Sequence, residues 1–335
     1  MKKRCYSMLS AAEKNIYNEM YSSLLKNRHV FRFRGISNKA LFRIFSALFN
    51  DNPRFFWLTG SANFEWTENA GDILDITCKA AVISGITTEK LNIMNSKLKN
   101  TVKDIIIHAN QRKTHFEKIL YVHDYIVDTT TYVSDAPMCY NAYGCLVLHQ
   151  AVCAGYAKAF QLIMEEMGYE CGYVSGEDRE DGTIHSSHAW NYIKIENEYY
   201  FVDTTWDDPL VDGGDYTYDN KTRNYFCITG SELSLTHKIK DISSYPVCNG
   251  KKYNYHVYKG YFLNSYSFSE LCRIASEQLR SSDKFTIKFS SKTQTELAVF
   301  DLFNNRKVYS IPGISGTTSY SISKSGLIIT VQNIR

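Results

Sequence analysis

The sequence lacks the cysteine spacing that zinc sites and disulfide frameworks use. Its nine cysteines are scattered along the chain without a C-x-x-C pair, and an odd number cannot pair completely. A chain of 335 residues can also bury a sizeable core without crosslinks. We therefore expect free thiols, no metal site and a reducing, cytoplasmic environment.

The sequence also has little excess charge and no long apolar segment. The 38 Lys and Arg residues against 35 Asp and Glu leave a formal net charge of +3, which is too small for a typical nucleic-acid-binding surface. No stretch approaches the roughly 20 apolar residues that a membrane helix needs, and the apolar stretch near the start is too short for a signal peptide. We expect no nucleic-acid partner and no membrane span, while the oligomeric state stays open.

Three segments with different patterns follow one another along the chain. Residues 1–100 mix short helical and strand patterns, and residues 101–249 contain amphipathic helices, a hairpin pattern and a long loop-rich stretch from about 207. Residues 250–335 follow the order strand, helix, strand, helix, strand. The patterns predict an α+β fold in which a middle domain is flanked by two small α/β units.

One cysteine of the middle segment stands at the start of a predicted helix. Cys153 begins a strongly periodic segment, where free backbone N–H groups and the positive end of the helix dipole stabilise a thiolate. The small Ala154 and Gly155 that follow are expected to leave room for a substrate. Most lone cysteines are buried structural residues, and we assign that role to Cys145, Cys171 and Cys227.

Two predicted strands bring a histidine and an aspartate together. A two-residue turn after Ile195 pairs that residue with Glu198 and puts Trp190 opposite Asp203. Side chains alternate along a strand, so His188 shares a face with Trp190 and is the diagonal neighbour of Asp203. The carboxylate can then fix the imidazole tautomer while the other ring nitrogen meets a thiol. A register shift of one residue would separate the two side chains.

Other histidines compete for the role of base. His185 lies in the predicted loop before the strand, and His149 has no carboxylate at a suitable spacing. We therefore favour His188, with a structural histidine as the simple alternative.

Several polar and aromatic residues near these positions have two interpretations. Trp190 and Trp206 are either core aromatics or walls of a substrate groove. Asp207 and Asp208 are expected to cap and solvate the following loop, because the calcium-ligand pattern of an EF-hand is absent.

The segments VCAGYAKAF, HAWN and VDTTWDDP, in this order, resemble the transglutaminase-like core of bacterial proteins. That family is part of the papain-like superfamily of cysteine transferases and peptidases, and the resemblance covers residues 114–209. It implies that Cys153 is the nucleophile, His188 the base and Asp203 the residue that orients the base. No cofactor is expected.

The second donor to an oxyanion is not marked by the resemblance. The backbone N–H of Cys153 is a natural first donor. Asn141, Tyr143 and Gln150 are candidates for the second, and their order stays open.

The sequence thus predicts cysteine-dependent acyl transfer on a protein or peptide carboxamide through a thioester on Cys153, with crosslinking or deamidation as the outcome. Trp190, Trp206 and Tyr143 are expected to contact the substrate. A cysteine peptidase or amidase of the same fold is one alternative. A non-catalytic interaction protein that retains the fold is another, supported by the flanking units and by 25 Tyr and 18 Phe residues.

Overall fold

The computed structural model describes residues 3–69, 72–180, 183–208, 221–241 and 245–334. Within these residues, helices alternate with the strands of four small sheets, which confirms the predicted α+β class. Among the described helices, none combines the length and the apolar character needed to cross a membrane.

The N-terminal elements are helices beside an antiparallel sheet. They are α1 (Arg4–Ser7), α2 (Ala11–Leu24), β1 (Val30–Arg34), α3 (Asn38–Asp51), β2 (Leu58–Asn69) and β3 (Asp72–Val82). The sheet order is β1-β3-β2. Ser10 and Glu13 form a capping box at the start of α2. Helix α3 ends before Pro53, because proline disfavours the helical conformation at the preceding residue.

The middle elements surround a second antiparallel sheet. They are α4 (Thr88–Asn110), α5 (His115–Thr129), β4 (Thr131–Tyr132), α6 (Ala142–Val147), β5 (Gln150–Ala151), α7 (Cys153–Glu166), β6 (Cys171–Glu180), β7 (Thr183–Ile195), β8 (Glu198–Val202), α8 (Gly230–Leu233) and β9 (His237–Ile239). The sheet order is β8-β7-β6-β9, and β4 and β5 form a separate parallel pair. Helix α7 packs against β7, so the start of the helix and the sheet are neighbours.

One hydrophobic core connects the N-terminal and middle elements. It extends from Leu9 to Tyr253 and includes buried side chains of α3, α4, α5 and α7. The predicted boundary at residue 100 lies inside α4, whose buried Leu91 and Ile105 both enter this core. The division of the chain into three domains is kept as a proposal.

The C-terminal elements enclose a separate core from Leu263 onward, whereas the first of them packs on Phe116 of the larger core. They are α9 (Tyr255–Tyr258), β10 (Phe262–Leu263), α10 (Phe268–Gln278), β11 (Lys284–Phe289), α11 (Lys292–Val299), a π-helix (Phe300–Asn304), a 3₁₀ helix (Lys307–Ser310), β12 (Thr317–Ile322) and β13 (Ile328–Ile334). The sheet order is β10-β11-β13-β12. The buried Lys288 ammonium of β11 lies 2.9 Å from a carboxylate oxygen of Glu232 in α8, so an ion pair joins this unit to the middle elements.

Candidate active site

Cys153 is the first residue of α7, and its thiol is partly exposed. The preceding Val152 is extended (φ −101°, ψ 178°) and contributes no side-chain cap. The Val152 side chain therefore leaves the backbone N–H groups of the first turn of α7 without a side-chain cap. These N–H groups and the helix dipole favour a negative charge at the Cys153 thiol. The helix start predicted from the sequence agrees with the described one.

Gly155 is needed for close packing of the chain, which differs from the role expected for it. A Cβ atom at this position would lie 2.4 Å from the carbonyl oxygen of Cys139 and 2.7 Å from Cβ of Ala151. The glycine therefore allows the first turn of α7 to pack against the preceding loop. The expectation that it leaves room for a substrate is corrected accordingly.

The hairpin of β7 and β8 places His188 beside Asp203. Ile195 pairs with Glu198 and Asn191 with Val202, which confirms the register predicted from the turn. Asp203 follows the last residue of β8, and its Oδ2 accepts a hydrogen bond of 2.6 Å from Nε2 of His188. Both side chains are buried, so this contact is shielded from water.

The thiol of Cys153 contacts the same histidine. The Cys153 side chain lies near enough to His188 to raise the pKa of the imidazole, and because Nε2 is bonded to Asp203, Nδ1 is the nitrogen left for the thiol. Burial alone would lower the pKa of His188, but the Asp203 carboxylate and then the Cys153 side chain outweigh burial and raise it. The imidazolium form is therefore favoured, as a thiolate–imidazolium pair requires.

The Asp203 carboxylate accepts four hydrogen bonds. Besides His188, Oδ2 accepts one of 3.0 Å from Nε2 of His237, while Oδ1 accepts from the backbone N–H groups of Thr205 (3.0 Å) and Trp206 (3.1 Å). Burial alone would raise the pKa of the Asp203 carboxyl, but the two imidazoles hold it well below its usual range. The carboxylate is thus ionised and fully bonded.

His237 is a site residue that the sequence reasoning missed. It lies in the stretch predicted as loop, on the three-residue strand β9, and Asp178 of β6 is its partner across the sheet. A strand of three residues has no readable periodicity. The single sequence carries no signal that brings this residue to Asp203.

The same three side chains have the donor types of a metal site. Atoms of His188, Asp203 and His237 lie within 4.8 Å of one another. Two ligands of one zinc ion are roughly 3.3 Å apart in tetrahedral geometry, whereas the His188–Asp203 distance is 2.6 Å. This spacing fits a hydrogen bond and not a pair of ligands on one ion.

The three side chains predicted to contact a substrate lie in different surroundings. Trp190 is 1% exposed and its ring stacks on the His188 imidazole with a centroid distance of 5.7 Å. Tyr143 is 5% exposed and stacks on Phe56. Neither side chain is open to a substrate. Trp206 is partly exposed and its ring centroid is 5.8 Å from that of His188, so it is the one of the three that borders the site from the open side.

The C-terminal unit also borders the site. Lys324, in the turn between β12 and β13, places its ammonium 4.7 Å from the ring centroid of Trp206. A cation at this distance over an indole is attracted to the ring face. The open side of the site is therefore shared between the middle and C-terminal elements.

The candidates for a second oxyanion donor are separated by their hydrogen bonds. Asn141 caps α6, and its side-chain oxygen accepts from two backbone N–H groups. Tyr143 is buried, and Gln150 is exposed on β5. The structure adds Tyr132, whose hydroxyl lies beside the backbone N–H of Cys153. Tyr132 pairs with Ala151 in the short parallel sheet, a pairing that the sequence reasoning did not predict.

Asp207 and Asp208 form hydrogen bonds to buried side chains at the start of the following loop. Oδ2 of Asp207 lies 3.1 Å from Nε2 of His123, and the Tyr156 hydroxyl donates to Oδ2 of Asp208 at 2.6 Å. Both aspartates are buried. The expectation that they solvate the loop is therefore wrong, because they bond to side chains of α5 and α7. The capping role holds for Asp207, whose carboxylate also accepts from the backbone N–H of Tyr225 and the hydroxyl of Thr222.

The competing histidines and cysteines lie away from this arrangement. His149 and His185 are exposed, and no described ion pair involves either side chain; His185 lies in β7, not in the expected loop. Burial raises the pKa of the Cys145 thiol to about 12, and it also raises the pKa values of Cys171 and Cys227. These three thiols are buried, as expected for structural cysteines.

Comparison with known proteins adds a family context to this geometry. Residues 100–204 match the family model described as "Transglutaminase-like superfamily". The kyphoscoliosis peptidase of Mus musculus is 28% identical over 96 residues, which cover 27% of this chain and 14% of that protein. The Homo sapiens protein of the same name is 36% identical over 67 residues, 18% of this chain and 10% of that protein. The chain therefore spans only a small part of these relatives.

A solved structure is also similar to this chain. It is a crystal structure of a TGase, with a TM-score of 0.31 and 14% sequence identity; the aligned region covers 57% of this chain and 52% of the TGase chain.

Proposed function

We propose that the protein, whose residues 100–204 are a transglutaminase-like core, transfers acyl groups through a thioester on Cys153. The observation that carries the proposal is the buried His188–Asp203 hydrogen bond with the Cys153 side chain next to the same imidazole. A nucleophile, a base and an orienting group in contact are the arrangement that covalent acyl transfer needs.

The reaction begins with attack of the Cys153 thiolate on the carbonyl carbon of a carboxamide or peptide. The carbonyl oxygen gains the negative charge and accepts hydrogen bonds from the backbone N–H of Cys153 and from the Tyr132 hydroxyl. Imidazolium His188 then gives its Nδ1 proton to the leaving nitrogen as the C–N bond breaks. Ammonia or an amine departs, and the acyl group remains on sulfur as a thioester.

A second nucleophile releases the acyl group. A lysine amine gives an isopeptide crosslink, and water gives a carboxylic acid; in both cases His188 accepts the proton of the attacking group and the thiol is regenerated. Asp203 stabilises the imidazolium in each half-reaction without being protonated itself. We propose a protein or peptide as the acyl donor.

Hydrolysis is the second candidate outcome. The thiol of Cys153 is partly exposed, so water can reach a thioester formed on it, and the two mammalian relatives are named peptidases. A peptidase or amidase uses the same first half-reaction. Free thiols at all nine cysteines are compatible with the reducing, cytoplasmic setting that we propose.

The test is a burst experiment with a p-nitrophenyl ester as acyl donor. We expect stoichiometric release of p-nitrophenolate and a mass increase on the peptide that contains Cys153. The Cys153→Ala variant should show neither, whereas Cys272→Ala, which removes another partly exposed thiol, should behave like the unmodified protein. A burst that persists in Cys153→Ala would overturn the proposal.

The two outcomes are separated by a second measurement. A glutamine-containing peptide is incubated with and without a primary amine probe, and ammonia, amine incorporation and peptide cleavage are followed together. Amine incorporation indicates transfer, ammonia alone indicates deamidation, and cleavage indicates a peptidase.

A further inference from the structure

His237 occupies an unusual position for a buried histidine. It is 2% exposed, and its ring lies among those of Trp190, Trp206 and Tyr225, with centroid distances of 4.8, 4.4 and 5.5 Å. Its two nitrogens are both bonded, Nε2 to Oδ2 of Asp203 and Nδ1 to the Thr236 hydroxyl at 2.9 Å. A buried imidazole with both nitrogens engaged has a defined orientation and tautomer.

The tautomer follows from the partners. An ionised carboxylate only accepts hydrogen bonds, so Nε2 of His237 must carry a proton. Burial lowers the pKa of His237 and, against the pull of Asp203, keeps the ring neutral, so Nδ1 has no proton. The Thr236 hydroxyl then donates to Nδ1 at 2.9 Å in preference to the Leu233 carbonyl, which is 3.5 Å away. The charged or titratable groups near this ring are Asp203, His188, Asp178 and Tyr225.

Asp203 needs a support that its strand does not provide. The ladder of β7 and β8 ends at the pair Asn191–Val202, one residue before Asp203. The backbone N–H of Asp203 bonds to the carbonyl of Tyr225 at 3.2 Å, and the backbone N–H groups of Thr205 and Trp206 hold Oδ1. Neither set of bonds holds Oδ2, the oxygen that accepts from His188. His237 approaches from the opposite edge of the sheet and bonds to the same oxygen that accepts from His188.

We propose that His237 is a positioning residue of the acyl-transfer site, which holds the Asp203 carboxylate in the rotamer that bonds His188. The proposal rests on the proposed function, because it assigns the support of the same Cys153–His188–Asp203 arrangement. His237 does not touch the thiol or the substrate in this assignment; it acts through Asp203.

The experiment measures the second-order rate constant for alkylation of Cys153 by iodoacetamide at about pH 6, where an ordinary thiol is almost entirely protonated and unreactive. Peptide mass spectrometry assigns the modified cysteine. His237→Met removes the donor at similar size, whereas His237→Gln keeps an N–H donor near the position of Nε2. His256→Gln is the matched control, because His256 is 1% exposed and no described hydrogen bond links it to Asp203.

We expect His237→Met to lower the rate constant about tenfold, as for loss of one hydrogen bond to a charged group. His237→Gln should stay within about threefold of the unmodified protein, and His256→Gln should equal it. Thr236→Val, which leaves the imidazole but removes the donor to Nδ1, should lower the rate constant in the same direction. Urea unfolding of each variant verifies that the measured state is folded.

The outcomes distinguish this inference from the proposed function. If Cys153 of the unmodified protein is alkylated no faster than the other cysteines, the proposed function fails first. If it is alkylated selectively and His237→Met reacts at the same rate or faster, only the positioning role is overturned. If His237→Met does not fold, an unchanged rate constant in Thr236→Val overturns the positioning role, since the tautomer of His237 would then have no effect on the reactivity of Cys153.

Discussion

Replacing Asp203 by asparagine is the substitution with the largest expected effect. Each carboxylate oxygen accepts two N–H donors, Oδ2 from His188 and His237 and Oδ1 from two backbone groups. An asparagine of the same shape must put its NH₂ group at one of these positions, where it meets two N–H donors. It can bond there only if an imidazole moves its proton to Nδ1, and in His188 that tautomer turns an N–H instead of a lone pair toward the thiol. No rotation of the amide avoids this conflict.

The magnitude follows from the number of bonds lost. Two hydrogen bonds to a charged acceptor contribute about 1.5–3 kcal/mol each, so the free energy of unfolding should fall by about 3–6 kcal/mol. Domains are commonly stable by about 5–15 kcal/mol, so we expect a folded but strongly destabilised variant. The negative charge that raises the pKa of His188 is lost as well. We therefore expect alkylation of Cys153 near neutral pH to slow by about 10²-fold or more.

Two measurements on Asp203→Asn and one control check this reasoning. Urea unfolding gives the stability, and iodoacetamide labelling of Cys153 gives the reactivity. Asp207→Asn is the control, because Asp207 is also a buried carboxylate bonded to a histidine, His123, but does not touch Asp203. It should be destabilised while its labelling rate stays close to that of the unmodified protein. Equal stability and equal labelling in Asp203→Asn would refute the argument from its four donors.

Three further predictions concern the surroundings of the thiol. Lys158 is buried, its pKa is lowered to about 7 by burial, and its ammonium lies 3.5 Å from the ring centroid of Phe49. Because the folded-state pKa lies below the unfolded one, the unfolded chain holds more protons only between about pH 7 and about pH 10, and in this window stability should rise with pH by at most about 1.4 kcal/mol per unit. Urea titrations at several pH values should show this rise in the unmodified protein and its loss in Lys158→Met. Tyr132→Phe should slow thioester formation from a p-nitrophenyl ester by about 10²-fold, as for loss of an oxyanion donor. It should leave iodoacetamide labelling of Cys153 unchanged, because alkylation forms no oxyanion. Equal slowing of both reactions would exclude Tyr132 as an oxyanion donor. Gly155→Ala should lower the free energy of unfolding by about 1–3 kcal/mol through overpacking. The control is Gly230→Ala, whose added Cβ meets its nearest atoms at 3.6 Å. Equal loss of stability in the two variants would contradict the packing role of Gly155.

The parts of the site that the sequence predicted are those set by local patterns. The alternation along β7 and the short turn after Ile195 determine which side chains share a face, so His188 and Asp203 could be brought together by counting residues. The thiol could be placed because the helical period begins sharply at Cys153. These arguments use only neighbours in the chain or across one hairpin.

The parts that were missed depend on pairings between distant short segments. His237 reaches Asp203 because β9 pairs with β6, and Tyr132 reaches Cys153 because β4 pairs with β5. Strands of two or three residues carry no periodic signal, so their partners cannot be inferred from one sequence. The sequence left Trp190 open between a core aromatic and a groove wall, because its burial depends on the rings that pack on it from His188 and His237.

The wide spacing of the Asp203 partners along the chain has a consequence for the newly made protein. Synthesis proceeds from the N-terminus, so the thiol of Cys153 emerges first, then His188 and Asp203, and His237 only 34 residues after Asp203. A chain still growing between these points holds a cysteine without its complete set of supporting groups. If His237 supports the site as proposed, the thiol gains its full reactivity only after β9 has paired with β6.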